Sequence, residues 1–212
     1  MRPNSAFLAL AVLLAASTLA HASTVAYNSQ SSFDAATTGV TTYAFPAPAV
    51  GQETVIHGDY TVGPLTFDSV INGEYNLRKD NVYGPGQTYL EYASRDFVTQ
   101  TITLAGASAL SFDLATFGTS VLLTFDVNGV LAGSVTTPTD ASSPFTTAFF
   151  GVTSTTPITT VTITGNPDAS VWDITQFQVG SAAAATPEPS SLSLLVLGLI
   201  GAAATIRRKL IK

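Results

Sequence analysis

The 212-residue chain has no cysteine, which excludes disulfides, thiolate zinc sites and a cysteine nucleophile. Its one methionine is Met1, and His57 is the only histidine beyond residue 22. A serine triad needs a base, normally histidine, yet no Gly-x-Ser-x-Gly sequence accompanies His57. A site built from several histidines is likewise excluded, and His57, beside Gly58, reads as a surface turn residue. Charge is sparse at 10% of residues, and positive charge is sparser still. Of the 8 basic residues, five stand at the two ends: Arg2, Arg207, Arg208, Lys209 and Lys212. Residues 23–180 retain only Arg78, Lys79 and Arg95 against thirteen acids, a formal charge of −10. That balance makes nucleic acid and anionic membrane poor partners and suits a soluble exported surface. Long helical periodicity is absent before residue 190.

What is present begins at the two ends. Arg2 precedes an apolar stretch from Ala6 to Ala20, and Ala20-His21-Ala22 supplies small residues where a signal peptidase reads. This predicts a signal peptide over residues 1–22, with cleavage before Ser23. At the other end, Ser190 to Ile206 runs 17 residues without a charge. A helix of that length reaches about 26 Å, near the short limit for crossing a bilayer. The basic end, residues 207–212, follows at once and should stay cytoplasmic, placing the bulk of the chain outside the inner membrane. A linker over residues 181–189 joins this segment to the domain and ends in Pro187-Glu188-Pro189, which cannot join a helix.

Between the ends, residues 23–180 form one domain, large enough for a real core. Alternation of apolar and polar residues dominates from Thr99 onward. Leu110, Phe112 and Leu114 alternate with Ser111 and Asp113, and Leu123, Phe125 and Val127 with Thr124 and Asp126. Asn128-Gly129 between two such runs predicts a tight hairpin. Strands are also expected at Thr24–Tyr27, at Thr41–Phe45, at Thr160–Thr164 and from Val171 to Val179, with a Gly63-Pro64 break within Thr61–Asp68 and a serine-capped helical turn at Ser31–Ala36. The pattern predicts an all-β fold, an antiparallel β-sandwich of at least eight strands in two sheets. Its expected core includes Leu110, Phe112, Leu114, Leu123, Phe125, Phe149, Val161 and Ile163.

Proline-glutamate-proline, an apolar span and a terminal arginine cluster, in that order over Thr186–Lys212, resemble the PEP-CTERM sorting signal. The resemblance implies recognition by an exosortase, an integral membrane enzyme that processes such proteins, with Pro187, Glu188, Pro189, Arg207 and Arg208 as the sorting motif. Residues 31–180 also resemble the jelly-roll-like β-sandwich domains common ahead of such tails, in phrases such as SFDAATTGVTTYAF, GDYTVGPLTF, ITLAGASALSFDL and VWDITQFQVG. One departure is Pro46, where many relatives carry an acid. Jelly-roll carbohydrate-binding modules similar to this one often place a calcium-binding acid at the position of Asp173. Calcium here would need Glu53 or Asp59 in place of the acid missing at Pro46.

The stretch from Asn72 to Asp96 holds every basic residue of the domain and four of its tyrosines. It reads as a long polar loop, which is more often functional than a segment chosen at random. Tyr75, Tyr83, Tyr89 and Tyr92 offer ring faces for sugars, and Arg78, Asp80 and Arg95 offer paired hydrogen bonds to hydroxyls. Thr101/Thr103 and Thr160/Thr162/Thr164 are Thr-x-Thr runs. A flat threonine ladder would offer an ice-binding surface, but two short, non-adjacent runs read as solvent faces of ordinary strands. No spacing singles out a carboxylate pair for glycoside hydrolysis. The leading expectation is a non-catalytic surface or biofilm-matrix protein that binds or organises exopolysaccharide. Its rivals are a secreted carbohydrate-active hydrolase or lyase and a purely structural matrix protein.

Overall fold

A computed structural model describes residues 23–46, 48–49, 53–68, 73–80, 87–94, 99–116, 119–138, 147–165 and 171–184. The chain divides into two compact units, residues 1–182 and 183–212, and the fold described here is that of the first. The expected signal peptide and the apolar run 190–206 lie outside the described residues. Among those described, no helix is long and apolar enough to cross a membrane.

The described residues of this unit form twelve strands: β1 (Thr24–Tyr27), β2 (Thr37–Ala44), β3 (Glu53–Ile56), β4 (Tyr60–Val62), β5 (Leu65–Phe67), β6 (Gly73–Asp80), β7 (Gln87–Ser94), β8 (Thr99–Ala115), β9 (Leu122–Val127), β10 (Val130–Thr136), β11 (Ala148–Gly165) and β12 (Val171–Ala182). One short helix, α1 (Gln30–Ala35), starts where the Ser29 hydroxyl accepts from the Ser32 amide. The capping serine is therefore Ser29, two residues before the expected start. Every strand pairing is antiparallel.

The expected two sheets are one hydrogen-bonded network folded into two layers. Phe125 of β9 stands opposite Ile163 of β11. Phe150 lies thirteen residues earlier on β11, which in a straight strand is roughly 43 Å away. Yet the rings of Phe125 and Phe150 stack 3.8 Å apart. The strand must therefore turn back over itself, and its register against β8 breaks between Thr153 and Ile158 and again before Thr160. On β8 the matching bend falls at Gly106, whose φ of 102° is costly for a residue with a side chain. Because β8 and β11 change layers, each takes two different neighbours along its other edge. β8 pairs with β5 and then β12, and β11 with β1 and then β9. The first layer runs β3-β6-β7-β12-β8-β11-β1, with β2 beside β12, and the second runs β4-β5-β8-β11-β9-β10. The result is a jelly-roll-like antiparallel sandwich.

Between the layers lie Phe45, Phe67, Phe112, Phe125, Phe150, Trp172 and Phe177, with aliphatic neighbours that include Leu110, Leu114, Leu123, Val161 and Ile163. One expected core residue differs. Phe149 is only partly buried, and Phe150 takes the interior position. The register break in β11 is the reason. An unpaired residue shifts the two-residue alternation, so the even residues Phe150 and Val152 point inward before the bend and the odd residues Val161 and Ile163 after it. Phe149 instead packs outside the sandwich against Phe33 of α1, ring centroids 5.7 Å apart. Gly151 makes room for that helix, since a Cβ there would lie 2.6 Å from the Phe33 ring.

Candidate functional site

The supposed loop from Asn72 to Asp96 is, over its described residues, a β-hairpin. β6 and β7 pair from Gly73↔Ser94 to Asp80↔Gln87, and β7 continues the sheet to β12. Alternation then sorts its side chains between two faces. Tyr75, Leu77 and Leu90 face the core with Ile174. Tyr75 is 1% exposed, its ring lies edge-on to Phe67, and its hydroxyl donates to the Asp68 carbonyl at 2.5 Å. Its ring is interior packing and offers no stacking surface to a sugar.

The other face carries a row of register partners, Asn76↔Glu91↔Asp173↔Ala115, with Arg78↔Tyr89 and Glu53↔Arg78 beside it. Arg78 Nη2 lies 2.9 Å from Glu53 Oε2 and 3.4 Å from Glu91 Oε1, and Asn76 Nδ2 donates to Glu91 Oε1 at 2.9 Å. Asn76, Tyr89, Glu91 and Asp173 are buried, whereas about a third of each of the Arg78 and Glu53 side chains is exposed. Burial, the largest single influence, works against the Arg78 cation. The charges of Glu91 and Glu53 and the Tyr89 hydroxyl outweigh it, holding Arg78 above its ordinary pKa.

The polar belt continues along the same face. Gln176 donates to Asp113 Oδ2. Gln178 Oε1 accepts from Ser111 at 3.0 Å and from Gln30 of α1 at 2.9 Å, and its amide donates to Thr42 at 3.2 Å. Burial raises the Asp113 carboxyl above its ordinary pKa, against the opposing effect of the Gln176 bond.

Of the residues singled out in the sequence, Arg78 and Tyr89 therefore belong to this belt and Tyr75 does not. Asp80 closes β6 opposite Gln87, and Tyr92 sits in β7 opposite Tyr75 and Trp172. Tyr83 and Arg95 lie outside the described residues, as do Pro187, Glu188, Pro189, Arg207 and Arg208. Asp173 is fully buried on β12. As a calcium site its surroundings do not fit: the ion takes six to eight oxygens, whereas the neighbouring Glu91 already holds a guanidinium and an amide. Among the described residues no three acids or histidines converge. Glu53 is paired with Arg78. His57 is exposed, as expected of a turn residue. Sequence reasoning missed Asn76, Glu91, Asp113 and Gln176. The available signal was their position on the polar phase of strands whose other phase is apolar.

The geometry defines an antiparallel β-sandwich with a polar belt on one outer face. The chain that contains it carries a PEP-CTERM protein-sorting motif, whose family model matches residues 185–209. Such a motif marks a protein for export and exosortase-dependent sorting to the cell surface. No curated protein sequence matches the chain. Among solved structures, the Agl-KA catalytic domain is similar at 14% identity over 74% of this chain, with a TM-score of 0.37. This chain covers 30% of that one. A family 6 carbohydrate-binding module is 15% identical, with 61% of this chain and 94% of that one covered and a TM-score of 0.29. The catalytic unit of a thermostable alpha-1,3-glucanase from Streptomyces thermodiastaticus is 16% identical, with 80% and 28% covered and a TM-score of 0.27.

Proposed function

We propose that the sandwich is a non-catalytic module that binds or organises polysaccharide for an exosortase-sorted surface protein. On this reading the apolar run 190–206 holds the chain transiently in the inner membrane before the domain reaches the surface. The observation that carries the reading is the linked set Glu53–Arg78–Glu91–Asn76, open at Arg78 and Glu53. The part-exposed Arg78 guanidinium and Glu53 carboxylate, held from behind by buried Glu91 and Asn76, suit pairs of sugar hydroxyls, because each planar group can make two directed hydrogen bonds. Two carboxylates surround the one guanidinium, so the belt favours neutral sugars over acidic ones. The module is read as non-catalytic on the belt alone, where the neighbouring carboxylates of Glu91 and Asp173 are buried and Glu91 is taken up by Arg78 and Asn76.

A glycan array probed with the exported protein tests this reading, followed by affinity gels with Arg78→Ala. Retention by a neutral polysaccharide, lost in a variant that still melts cooperatively, is the expected result. Retention unchanged by the substitution would move the site elsewhere. Hydrolysis of a bound glycan, lost in Glu91→Gln, would replace the module with an enzyme.

A further inference from the structure

The Thr-x-Thr runs, far apart in the chain, are neighbours in the fold. On the outer face of the second layer Thr99, Thr101 and Thr103 of β8 stand directly opposite Thr164, Thr162 and Thr160 of β11. Register extends two of these rows. Thr66 and Thr61 prolong the Thr103 row through β5 and β4, and Thr124 and Ser134 prolong the Thr164 row through β9 and β10. The middle row runs on through Asp126 of β9 to the exposed Leu131 of β10. The intervening Ile102, Val161, Ile163, Leu65 and Phe125 are fully buried, so alternation puts the hydroxyl residues together on the outward face.

We propose that this face adsorbs ice. Threonine presents a hydroxyl and a methyl on a branched, rotationally stiff side chain. In a sheet these repeat at about 6.7 Å along a strand and about 4.8 Å between strands. Repeats of similar length separate the oxygens on faces of hexagonal ice, so the hydroxyls can join that lattice while the methyls sit in its hollows. The hydroxyls are already ordered: Thr99 and Thr164 lie 3.2 Å apart, Thr61 and Thr66 3.0 Å, and Thr103 donates to Asp68 Oδ1 at 3.3 Å. Side chains fixed in advance lose little entropy on binding. Sheet twist of about 20–25° per strand confines the flattest region to the β8–β11 pair and its immediate neighbours. Six threonines occupy that pair. No aromatic ring lies in any row, so the face lacks the stacking surface that sugars use. It lies on the layer opposite the Arg78 belt and does not depend on the polysaccharide reading.

The test freezes a solution of the exported protein slowly and measures its partition between ice and liquid, together with inhibition of ice recrystallisation. The expected result is incorporation well above that of a co-dissolved inert protein. It should fall to the inert level in Thr162→Tyr and Thr101→Tyr, which keep strand propensity but break the lattice, and persist in Arg78→Ala. Thr162→Val, nearly isosteric, separates loss of the hydroxyl from a folding defect, and thermal melts report on folding of each variant. Parent protein excluded from ice would overturn the proposal, as would full incorporation of the tyrosine variants. Retention on an insoluble polysaccharide that those variants abolish, without ice incorporation, would assign the face to a sugar surface instead.

Discussion

Asp113 is a carboxylate at odds with its surroundings. It faces outward from β8, yet burial raises its pKa, and Gln176 only partly offsets this. The folded state therefore holds the proton more tightly than the unfolded chain. The associated stability is fully present below the unfolded pKa and is lost as pH rises through the higher folded value. Asp113→Asn keeps an acceptor for Gln176 and removes the charge. We expect it to be more stable than the parent at neutral pH and flatter across the mildly acidic range, as read by urea melts at several pH values. A parent whose stability rises with pH there, with the variant tracking it, would refute the assignment. At this scale the sequence was legible where one residue type has one use. Asn128-Gly129 makes a turn in which both residues have positive φ, 51° and 79°. It was illegible where polar residues satisfy one another under cover. Asn76 and Glu91 read as loop polarity because their mutual bond, between strands, does not show in the chain order.

The elements show the same division. Strands with strict alternation, β9 and the second half of β8, were legible because each buries a single face. β11 was only half legible, since its bend shifts the alternation and a bulge has no fixed sequence signature. That bend is held from outside by the β9–β10 turn. Asn128 Oδ1 accepts from the Thr159 amide at 2.9 Å, the Thr159 hydroxyl at 3.1 Å and the Thr160 amide at 3.2 Å, and its Nδ2 donates to the Pro157 carbonyl at 3.0 Å. One side chain thus fixes both the hairpin and the fold-over of a strand some thirty residues away. Asn128→Ala loses these bonds and places alanine in a left-handed conformation, so the expected loss is about 2–3 kcal/mol by chemical denaturation. Asn128→Gly relieves the backbone strain without restoring the bonds and should recover about 1 kcal/mol of it. Equal stability of all three proteins would mean that the clamp contributes nothing.

At the scale of the whole molecule, the distribution of charge separates transport from activity. The sandwich is acidic and nearly free of cations, whereas most of the basic residues stand at the two ends of the sequence. The sorting motif at residues 185–209 was legible because it is an ordered set within one short segment. The threonine face was not, because it exists only once β8 and β11 pair. If the motif works as such motifs do, the basic end has no role after export. Pro187 and Pro189 flank Glu188 just ahead of the apolar run, and that ordered sequence is what a processing enzyme would read. In a host with an exosortase, the mature protein should begin near Ser23 and lack Arg207–Lys212. A host without the enzyme should retain the full C-terminus in its membrane fraction. Intact-mass spectrometry of the exported and membrane-bound forms distinguishes the two. Lys212 present on the exported form would show that the tail serves as an anchor alone. Replacing Pro187, Glu188 and Pro189 with alanine should trap the uncut chain in the membrane even when the exosortase is present, while Arg78→Ala should leave processing untouched.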